Sequence, residues 1–370
     1  MKKLKILQVG IDSHLGGIET YLLNVARHID RDVFQMDFLS YHGETPCFLN
    51  DLLELGCGFR FIRSRRQNPI GNIVDLRRLY AAENYDIVQC NANSMSYVTP
   101  AIEAVKMGLG VLFLSHNAGA SAGSSSSILN CINRIRFPFD KVVLAAVSDI
   151  AGKWMFGESR TFIIQNNGVD TKKYGFSSQK RCAARLEMGI STDREVILHV
   201  GAFRTQKNHG FLIDVFNEYL THSPSALLLL VGEGELKDEI VGKVNALGIQ
   251  GNVMFAGLRN DVDCVMSASD KFLFPSLYEG FPISLIEAEA NGLFCVVSDA
   301  ITEEVCFDNC MRISLDSSVD VWSNALKGNY IGDRGDAFRR IDHEGLGIDA
   351  AVGRLEELYW KIKGVAKEGA

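Results

Sequence analysis

The chain has 370 residues, which is long enough to form two sizeable hydrophobic cores. Hydrophobic residues make up 47% and charged residues 22%, a composition typical of a globular protein and not of a disordered one. The formal charge is −7 at pH 7, and no stretch of about 20 apolar residues exists, so the sequence contains no candidate membrane-spanning helix.

The N-terminus and the cysteines bear on localisation and on metal binding. The apolar run after Lys2 and Lys3 is too short and too interrupted for a signal peptide. Nine cysteines occur without a Cys-x-x-Cys pair, and no further His or Cys close to Cys306 and Cys310 would complete a zinc site. We therefore expect a cytoplasmic protein with free thiols and no bound metal.

In the first half of the chain, short apolar segments typical of strands alternate with helical patterns. A helix is predicted over residues 18–29, between the first two strands. The predicted strands are residues 4–9, 34–39, 87–89, 111–115 and 142–146. This alternation predicts a parallel sheet flanked by helices.

The second half begins the same pattern afresh, and turn residues at 167–174 separate the two series. Its predicted strands are residues 195–201, 226–231, 253–256, 271–274 and 294–297. We therefore predict an α/β protein of two Rossmann-like doubly wound domains, residues 1–170 and 171–345, followed by a C-terminal helix within residues 346–370. Because ligands of such sheets bind beyond the carboxyl ends of the strands, two domains that face each other form a binding cleft.

The first predicted strand runs into a loop with Gly16 and Gly17, and a helix follows. Glycines let the backbone approach a bulky anion, and the N–H groups at a helix start favour one. Glycines at strand-to-helix turns are also commonly structural, and this loop lacks the Gly-x-Gly-x-x-Gly pattern of dinucleotide binding. The residues alone leave both interpretations open.

Two cations, Arg204 and Lys207, follow the first strand of the second half. An arginine can bind phosphate in a bidentate manner and a lysine adds a mobile positive charge, which suits a diphosphate held without a metal. The alternative is that both are exposed loop cations.

Two carboxylates, Glu279 and Glu287, surround a predicted helix start within residues 275–292. Pro282 suits the first helical position and Gly292 the residue just past the helix end. Glu279 would then lie in the loop before the helix, and the Glu287 side chain would tilt back toward the helix start, so both could address one polar ligand there. The alternative is a loop residue and a solvent-facing helix residue; only one of Glu287 and Glu289 needs to face solvent.

His116 directly follows the predicted strand of residues 111–115, at the end where ligands bind. A single histidine is more often structural than catalytic, so its position alone does not decide its role. The loop of residues 119–127 is rich in Gly, Ala and Ser, and we expect it to be flexible and able to close over an acceptor.

Residues 275–292 resemble, almost residue for residue, the Glu-x7-Glu motif of the family-four retaining glycosyltransferases of the GT-B class. The loop at Gly16 and Gly17 resembles the one that lines the donor diphosphate in that family, and His116 matches a histidine at its sugar-transfer centre. One position departs from the family: its arginine after Gly201 is Ala202 here, and Arg204 is the candidate replacement. The resemblance spans nearly the whole chain and is greatest to the branch that builds capsular polysaccharide and exopolysaccharide.

This resemblance implies transfer of a sugar, with retention, from a nucleotide diphosphate sugar to a hydroxyl of a glycan or lipid-linked acceptor. A UDP-sugar is the expected donor, and no cofactor or metal is expected. The implied catalytic residues are His116 and Glu279. The implied donor-binding residues are Gly16, Gly17, Arg204, Lys207, Leu258, Gly280, Phe281, Ile283, Ser284 and Glu287.

Two other functions remain open at this point. A nucleotide-sugar epimerase also uses paired Rossmann-like domains and needs no acceptor. A sugar-nucleotide-binding protein without turnover is the other alternative, and Ala202 is the only feature that hints at it.

A basic cluster lies in the first half and consists of Arg60, Arg63, Arg65, Arg66, Arg77 and Arg78. Such clusters usually face water. The alternative is peripheral contact of residues 60–78 with anionic lipid head groups on the inner membrane surface, or with a phosphate-bearing acceptor. No aromatic residues alternate with these arginines in the way that nucleic-acid binding would favour, so no nucleic-acid partner is expected.

Overall fold

The computed structural model describes residues 2–13, 16–41, 45–119, 126–307 and 309–368. The chain divides into two compact units: unit 1 consists of residues 1–168 and 348–370, and unit 2 of residues 169–347. Most of the loop predicted to be flexible, residues 120–125, lies outside the described residues.

Unit 1 is built on a seven-stranded parallel sheet with the strand order β3-β2-β1-β4-β5-β6-β7. The strands are β1 (Leu4–Val9), β2 (Phe34–Ser40), β3 (Gly58–Phe61), β4 (Ile87–Ala92), β5 (Gly110–Ser115), β6 (Val143–Ala146) and β7 (Ile163–Ile164). The helices that connect them are α1 (Gly17–His28), α2 (Leu49–Glu54), α3 (Pro69–Glu83), α4 (Thr99–Lys106), α5 (Ser126–Arg136) and α6 (Asp149–Phe156).

Unit 2 contains a six-stranded parallel sheet with the order β10-β9-β8-β11-β12-β13. Its strands are β8 (Val196–Val200), β9 (Leu227–Val231), β10 (Val253–Gly257), β11 (Lys271–Phe274), β12 (Phe294–Ser298) and β13 (Cys310–Ile313). Its helices are α7 (Thr171–Tyr174), α8 (Ser178–Glu187), α9 (His209–Tyr219), α10 (Lys237–Ala246), α11 (Val262–Ala268), α12 (Ile283–Ala290), α13 (Val319–Ala325) and α14 (Ala337–His343).

These sheets confirm the prediction of two doubly wound α/β domains. The strand order reverses between β1 and β4 in unit 1 and between β8 and β11 in unit 2. In a parallel sheet, the loops that leave the strands on either side of such a reversal part from each other and leave room for a ligand. The loops after β8 and β11 are therefore the place to look for a site in unit 2.

The sequence did not predict β3, β7 and β13, and all three are edge strands of their sheets. An edge strand pairs on one side only and is covered less completely, so it needs no continuous apolar run. Both residues of β7 are exposed, and β3 has no fully buried residue. The predicted central strands match the structure because most of their residues are apolar and buried.

The helix that follows β11 begins one residue later than predicted. Pro282 is the N-cap of α12 and not its first helical residue. The far end is as predicted: α12 stops before Gly292, whose φ of 72° lies in the left-handed region that glycine adopts most readily. Among the described residues, no helix has both the length and the apolar character that a bilayer crossing requires.

The C-terminal helix, α15 (Ile348–Glu368), packs on the sheet of unit 1. Its Tyr359 is fully buried and donates a hydrogen bond to the side-chain oxygen of Gln89, while the amide of Gln8 donates to the Tyr359 hydroxyl over 2.9 Å. Gln8 and Gln89 lie on the adjacent strands β1 and β4. The helix thus completes a buried polar network at the centre of the sheet.

We expect Tyr359→Phe to lower the free energy of unfolding by about 1–3 kcal/mol, because it removes a hydroxyl that serves two buried amides. Urea denaturation of the full chain measures this difference. Trp360→Phe, at an exposed neighbouring position, is the control and should change stability little. Equal stability of Tyr359→Phe and the wild type would show that the network does not stabilise the unit.

Candidate active site

The loops after β8 and β11 meet at the point where the strand order of unit 2 reverses. Lys207 ends a short 3-10 helix, Thr205–Lys207, in the first loop, and Glu279 lies in the second. The Lys207 ammonium forms an ion pair with the Glu279 carboxylate, at 2.7 Å between Nζ and Oε1. The two side chains are 17% and 8% exposed, so the pair is largely enclosed yet reachable from solvent.

Gln206 joins the same two loops. Its amide donates hydrogen bonds to the Tyr278 carbonyl at 2.9 Å and to the second Glu279 oxygen, Oε2, at 3.2 Å. The backbone carbonyl of Gln206 accepts a hydrogen bond from the Leu277 backbone N–H at 2.8 Å. Both oxygens of Glu279 are therefore held, and the carboxylate has a defined orientation.

Aromatic rings lie against the Lys207 side chain. Its ammonium is 4.5 Å from the centre of the Phe274 ring, which in turn stacks on His199 at 5.6 Å. His199 donates through Nδ1 to the Leu273 carbonyl, and burial lowers its pKa well below the usual value. Burial, and next the charge of Lys207, lower the pKa of the neighbouring His209 to about 4. Both rings are neutral at pH 7, so neither histidine adds a positive charge next to Lys207.

The loops after β8 and β9 also approach each other closely. Gly232 has a φ of 142°, and a side-chain carbon at this position would lie 2.2 Å from the Gly201 carbonyl oxygen. Only glycine fits such a contact. The glycines in these loops therefore bring the two backbones together next to Lys207.

Glu287 lies in the second turn of α12, as predicted, but neither it nor Glu289 faces solvent. The Glu287 carboxyl is hydrogen-bonded to the Tyr174 hydroxyl. Burial raises the pKa of Glu287 to about 7, against the lowering effects of Tyr174 and Lys173. Both acidic residues of α12 are therefore buried, although the sequence allowed one of them to face solvent.

The remaining predicted donor-binding residues of unit 2 have different surroundings. Arg204 is exposed, and its guanidinium makes no hydrogen bond or ion pair with the described residues. Leu258, after β10, is 62% exposed. Before and within the first turn of α12 come Gly280, Phe281, Ile283 and Ser284, of which the first two are buried and the last two half-buried. Direct contact is shown between Lys207 and Glu279, and Arg204 is not part of it.

In unit 1, the predicted residues follow β1 and β5. Gly16 is the N-cap of α1 and Gly17 its first residue. His116 follows β5, and its Nε2 lies 3.2 Å from the side-chain oxygen of Asn91, at the end of β4. Burial lowers the pKa of His116 to about 3, so this side chain is neutral at pH 7 and interacts through hydrogen bonds.

The basic cluster is largely paired within unit 1. Arg60 binds Glu83 and Asp37, Arg63 binds Asp75, and Arg77 binds Glu103. Arg65 donates to the Ser96 carbonyl and lies over the Tyr97 ring. Arg66 and Arg78 remain on the exposed surface. In the part of the chain that the structure describes, no group of three or more His, Cys, Asp or Glu side chains is arranged to hold a metal ion.

Two family models match this chain. Glycosyl transferases group 1 covers residues 183–306, which include the Lys207–Glu279 pair, and Glycosyltransferase Family 4 covers residues 15–172. The chain is 29% identical over 340 residues to the Putative glycosyltransferase EpsF of Bacillus subtilis (strain 168), an alignment that spans 87% of this chain and 86% of that one. The chain belongs to the family-four glycosyltransferases of the GT-B class.

A second relative of this glycosyltransferase is the UDP-Gal:alpha-D-GlcNAc-diphosphoundecaprenol alpha-1,3-galactosyltransferase of Escherichia coli, 22% identical over 80% of each chain. Among solved structures, Anabaena HepE in complex with UDP and glucose aligns with a TM-score of 0.78 and 19% identity over 96% of this chain and 99% of that one. WaaG, a glycosyltransferase involved in lipopolysaccharide biosynthesis, aligns with a TM-score of 0.66 and 17% identity over 98% of each chain. These likenesses show that the glycosyltransferase has the GT-B fold.

Sequence reasoning missed two residues that shape the site. Gln206 carries no charge, and the sequence did not predict it as a site residue, although its side-chain amide orients Glu279. Tyr174 was read as part of a domain boundary, but its hydroxyl is the partner of Glu287. Neither contact has a signal in the sequence, because each joins residues more than 70 positions apart.

The raised pKa of Glu287 predicts a pH-dependent stability. Its pKa of about 7 in the folded protein lies above its ordinary value of 4.5, so folding retains a proton that the unfolded chain releases between these values. The free energy of unfolding of the wild type should therefore fall, relative to that of Glu287→Gln, as pH rises through this window. We expect the difference to change by roughly 3 kcal/mol between about pH 4 and about pH 8.

Urea denaturation at a series of pH values measures this difference. Glu357→Gln, at an exposed position of α15, is the control, and its curve should run parallel to that of the wild type. If the Glu287→Gln curve also runs parallel to the wild type, Glu287 does not retain a proton in the folded protein.

Proposed function

We propose that this glycosyltransferase moves a sugar, with retention, from a UDP-sugar to a hydroxyl of a glycan or lipid-linked acceptor during surface polysaccharide biosynthesis. The observation that carries the proposal is the ion pair of Lys207 and Glu279 at the strand reversal of unit 2. The Escherichia coli relative, which is named for a diphosphoundecaprenol acceptor, and the HepE complex with UDP support the substrate classes.

In this proposal, Lys207 binds the diphosphate. A nucleoside diphosphate brings negative charge next to Glu279, and the Lys207 ammonium offsets the repulsion between them. The same charge stabilises the diphosphate as it leaves, when its negative charge increases. The start of α12 adds a favourable dipole, and exposed Arg204 supplies a second cation once a donor is bound.

Glu279 and Glu287 bind different parts of the donor, the transferred sugar and the ribose. Glu279 is fixed by Gln206 and Lys207, so its carboxylate can receive hydrogen bonds from sugar hydroxyls and favour positive charge on the ring. Glu287 is assigned to the ribose, with Tyr174 as the partner that orients it, and Leu258 to the base. Neutral His116 orients the reacting hydroxyls, and no metal takes part.

The acceptor side of the proposal includes the membrane surface. Lipid-linked acceptors reside in a membrane, and exposed Arg66 and Arg78 belong to the same segment as Phe61 and Ile70, which are 61% and 75% exposed. Exposed apolar and basic side chains together favour binding to anionic lipid. We assign this segment to peripheral contact with the membrane.

A transfer assay tests the proposed function. The purified chain is incubated with a panel of UDP-sugars and with lipid-linked or glycan acceptors, and the anomeric configuration of the product is read by NMR. We expect acceptor-dependent release of UDP and a product that keeps the donor's configuration. Inversion would contradict retention, and a donor epimerised without acceptor would favour the epimerase instead. Equal activity with and without a chelator is expected.

Glu279→Gln should lower kcat about 10²- to 10³-fold while UDP affinity changes less than about threefold, because the carboxylate acts on the sugar in the transition state. Steady-state kinetics with the preferred donor and calorimetry with UDP measure the two effects. Glu344→Gln, which alters a surface ion pair in the same unit, is the control and should leave both unchanged. An unchanged kcat in Glu279→Gln would remove its proposed role.

Lys207→Ala should weaken UDP binding about 10- to 100-fold, since it removes a charged hydrogen-bond donor from the diphosphate. Lys243→Ala is the matched control, because Lys243 also forms an ion pair with a carboxylate of unit 2, Asp214 at 2.6 Å, but on the helix surface. Calorimetry that finds equal UDP affinity in wild type and Lys207→Ala would place the diphosphate elsewhere.

A further inference from the structure

The side chain of Asn91, at the end of β4, is hydrogen-bonded to the His116 ring, and Asn91 is only 6% exposed. His116 has a role in the proposed function, and Asn91 has none. An amide beside an imidazole can decide which ring nitrogen carries the hydrogen, because the amide oxygen only accepts and the NH2 group only donates. The orientation of the Asn91 amide therefore determines the state of His116.

A backbone carbonyl fixes that orientation. Nδ2 of Asn91 lies 3.1 Å from the Val9 carbonyl oxygen, which can only accept, so the NH2 group must face β1. The same group donates to the side-chain oxygen of Gln8 at 3.0 Å. The amide of Gln89 donates to Oδ1 of Asn91 at 2.9 Å. A flipped amide would place an oxygen against the Val9 carbonyl, so the Asn91 oxygen is the atom that faces His116.

The partners of Asn91 are oriented in turn. Because Gln8 accepts from Asn91 through its side-chain oxygen, its NH2 group is free to donate to the Tyr359 hydroxyl, at 2.9 Å. The Tyr359 hydroxyl then donates its hydrogen to the side-chain oxygen of Gln89. Each amide in this network thus has one orientation that satisfies all its neighbours, and the network holds Asn91 in place.

The state of the His116 ring follows from these contacts. Its Nε2, 3.2 Å from the Asn91 oxygen, must carry the hydrogen and donate it. Burial lowers the pKa of His116 to about 3, so at pH 7 the ring is neutral and Nδ1 holds a lone pair. Nδ1 is enclosed and has no hydrogen-bond partner among the described residues. The Tyr21 ring packs edge-on against His116, at 4.9 Å between ring centres, and burial raises its pKa, so Tyr21 adds no charge.

We propose that Asn91 is a positioning residue that holds His116 as the Nε2–H tautomer and reserves Nδ1 as the acceptor for a sugar hydroxyl. The identity of the ligand rests on the proposed function, whereas the tautomer does not. A buried acceptor without a partner costs free energy, and a hydroxyl that donates to Nδ1 removes that cost. Catalytic hydrogen bonds often form only when the substrate is bound, so Nδ1 needs no partner in the free protein.

Nitrogen NMR spectra of the full chain, with isotope-labelled histidine, read the tautomer directly. The signals of His116 are those that His116→Phe lacks. At pH 7 we expect a protonated Nε2 and an unprotonated Nδ1. A protonated Nδ1 would overturn the proposal, whether or not the protein transfers sugar.

The same spectra identify the source of the hydroxyl. A UDP-sugar and a glycan acceptor are added separately, and UDP alone is the control without a transferable sugar. We expect one of the two carbohydrates to shift the Nδ1 signal as a new hydrogen bond does, and UDP alone to leave it in place. An Nδ1 signal that neither carbohydrate shifts, in a protein that transfers sugar, would overturn the assignment of a ligand to Nδ1.

Two variants separate positioning from a merely structural role. Asn91→Asp keeps an oxygen facing Nε2 but adds a negative charge, so we expect the same tautomer and a His116 pKa raised by about one unit or more. The acid-side fall of kcat should move to higher pH with it, because a protonated Nδ1 cannot accept a hydrogen bond. Asn91→Leu should give a mixture of tautomers and lower kcat about tenfold or more, with the donor KM changed less than about threefold.

Asn84→Asp makes the same chemical change at an exposed residue after α3, and it should alter neither the His116 spectrum nor kcat. If an Asn91 variant fails to fold, the wild-type spectrum still decides the tautomer. A pH profile of folded Asn91→Asp identical to that of the wild type would overturn the positioning role. Absence of transfer with every donor would contradict the proposed function alone, because the tautomer is read without substrate.

Discussion

The ion pair between Lys207 and Glu279 is the interaction on which the candidate site depends. It joins two loops that leave adjacent strands, β8 and β11, in opposite directions, and Gln206 adds two further hydrogen bonds to the second loop. The pair places a positive and a negative group side by side in a half-enclosed region. A ligand with a diphosphate at one end and hydroxyls at the other matches this arrangement, because each charge then has a complementary partner.

Several ionisable groups of unit 2 are held neutral or partly protonated. Burial lowers the pKa of His199 and His209, and raises the pKa of Glu287 on α12 to about 7. Because the two histidines next to Lys207 are neutral at pH 7, they add no charge to the Lys207–Glu279 pair. Buried groups with shifted pKa values reduce stability, and proteins tend to retain them where function requires polar groups in an enclosed place.

The sequence predicted the two sheets and the loops of the site, and it failed where contacts are long-range. Central strands such as β5 and β9 are apolar on both faces and carry a clear signal, whereas the two-residue edge strand β7 carries none. Lys207 and Glu279 were predicted separately from charge and position, but their contact and the Gln206 bridge depend on which strands become neighbours. A sequence motif can identify a loop, but the strand order of the folded sheet decides which other loop lies next to it.

The claim that the strand reversal of unit 2 binds the diphosphate of a nucleotide sugar is tested most directly by a crystal structure of the full chain with UDP. We expect electron density for the diphosphate within hydrogen-bond distance of the Lys207 ammonium and next to the start of α12. Density for UDP at any other place, with Lys207 and Glu279 still paired only to each other, would contradict it.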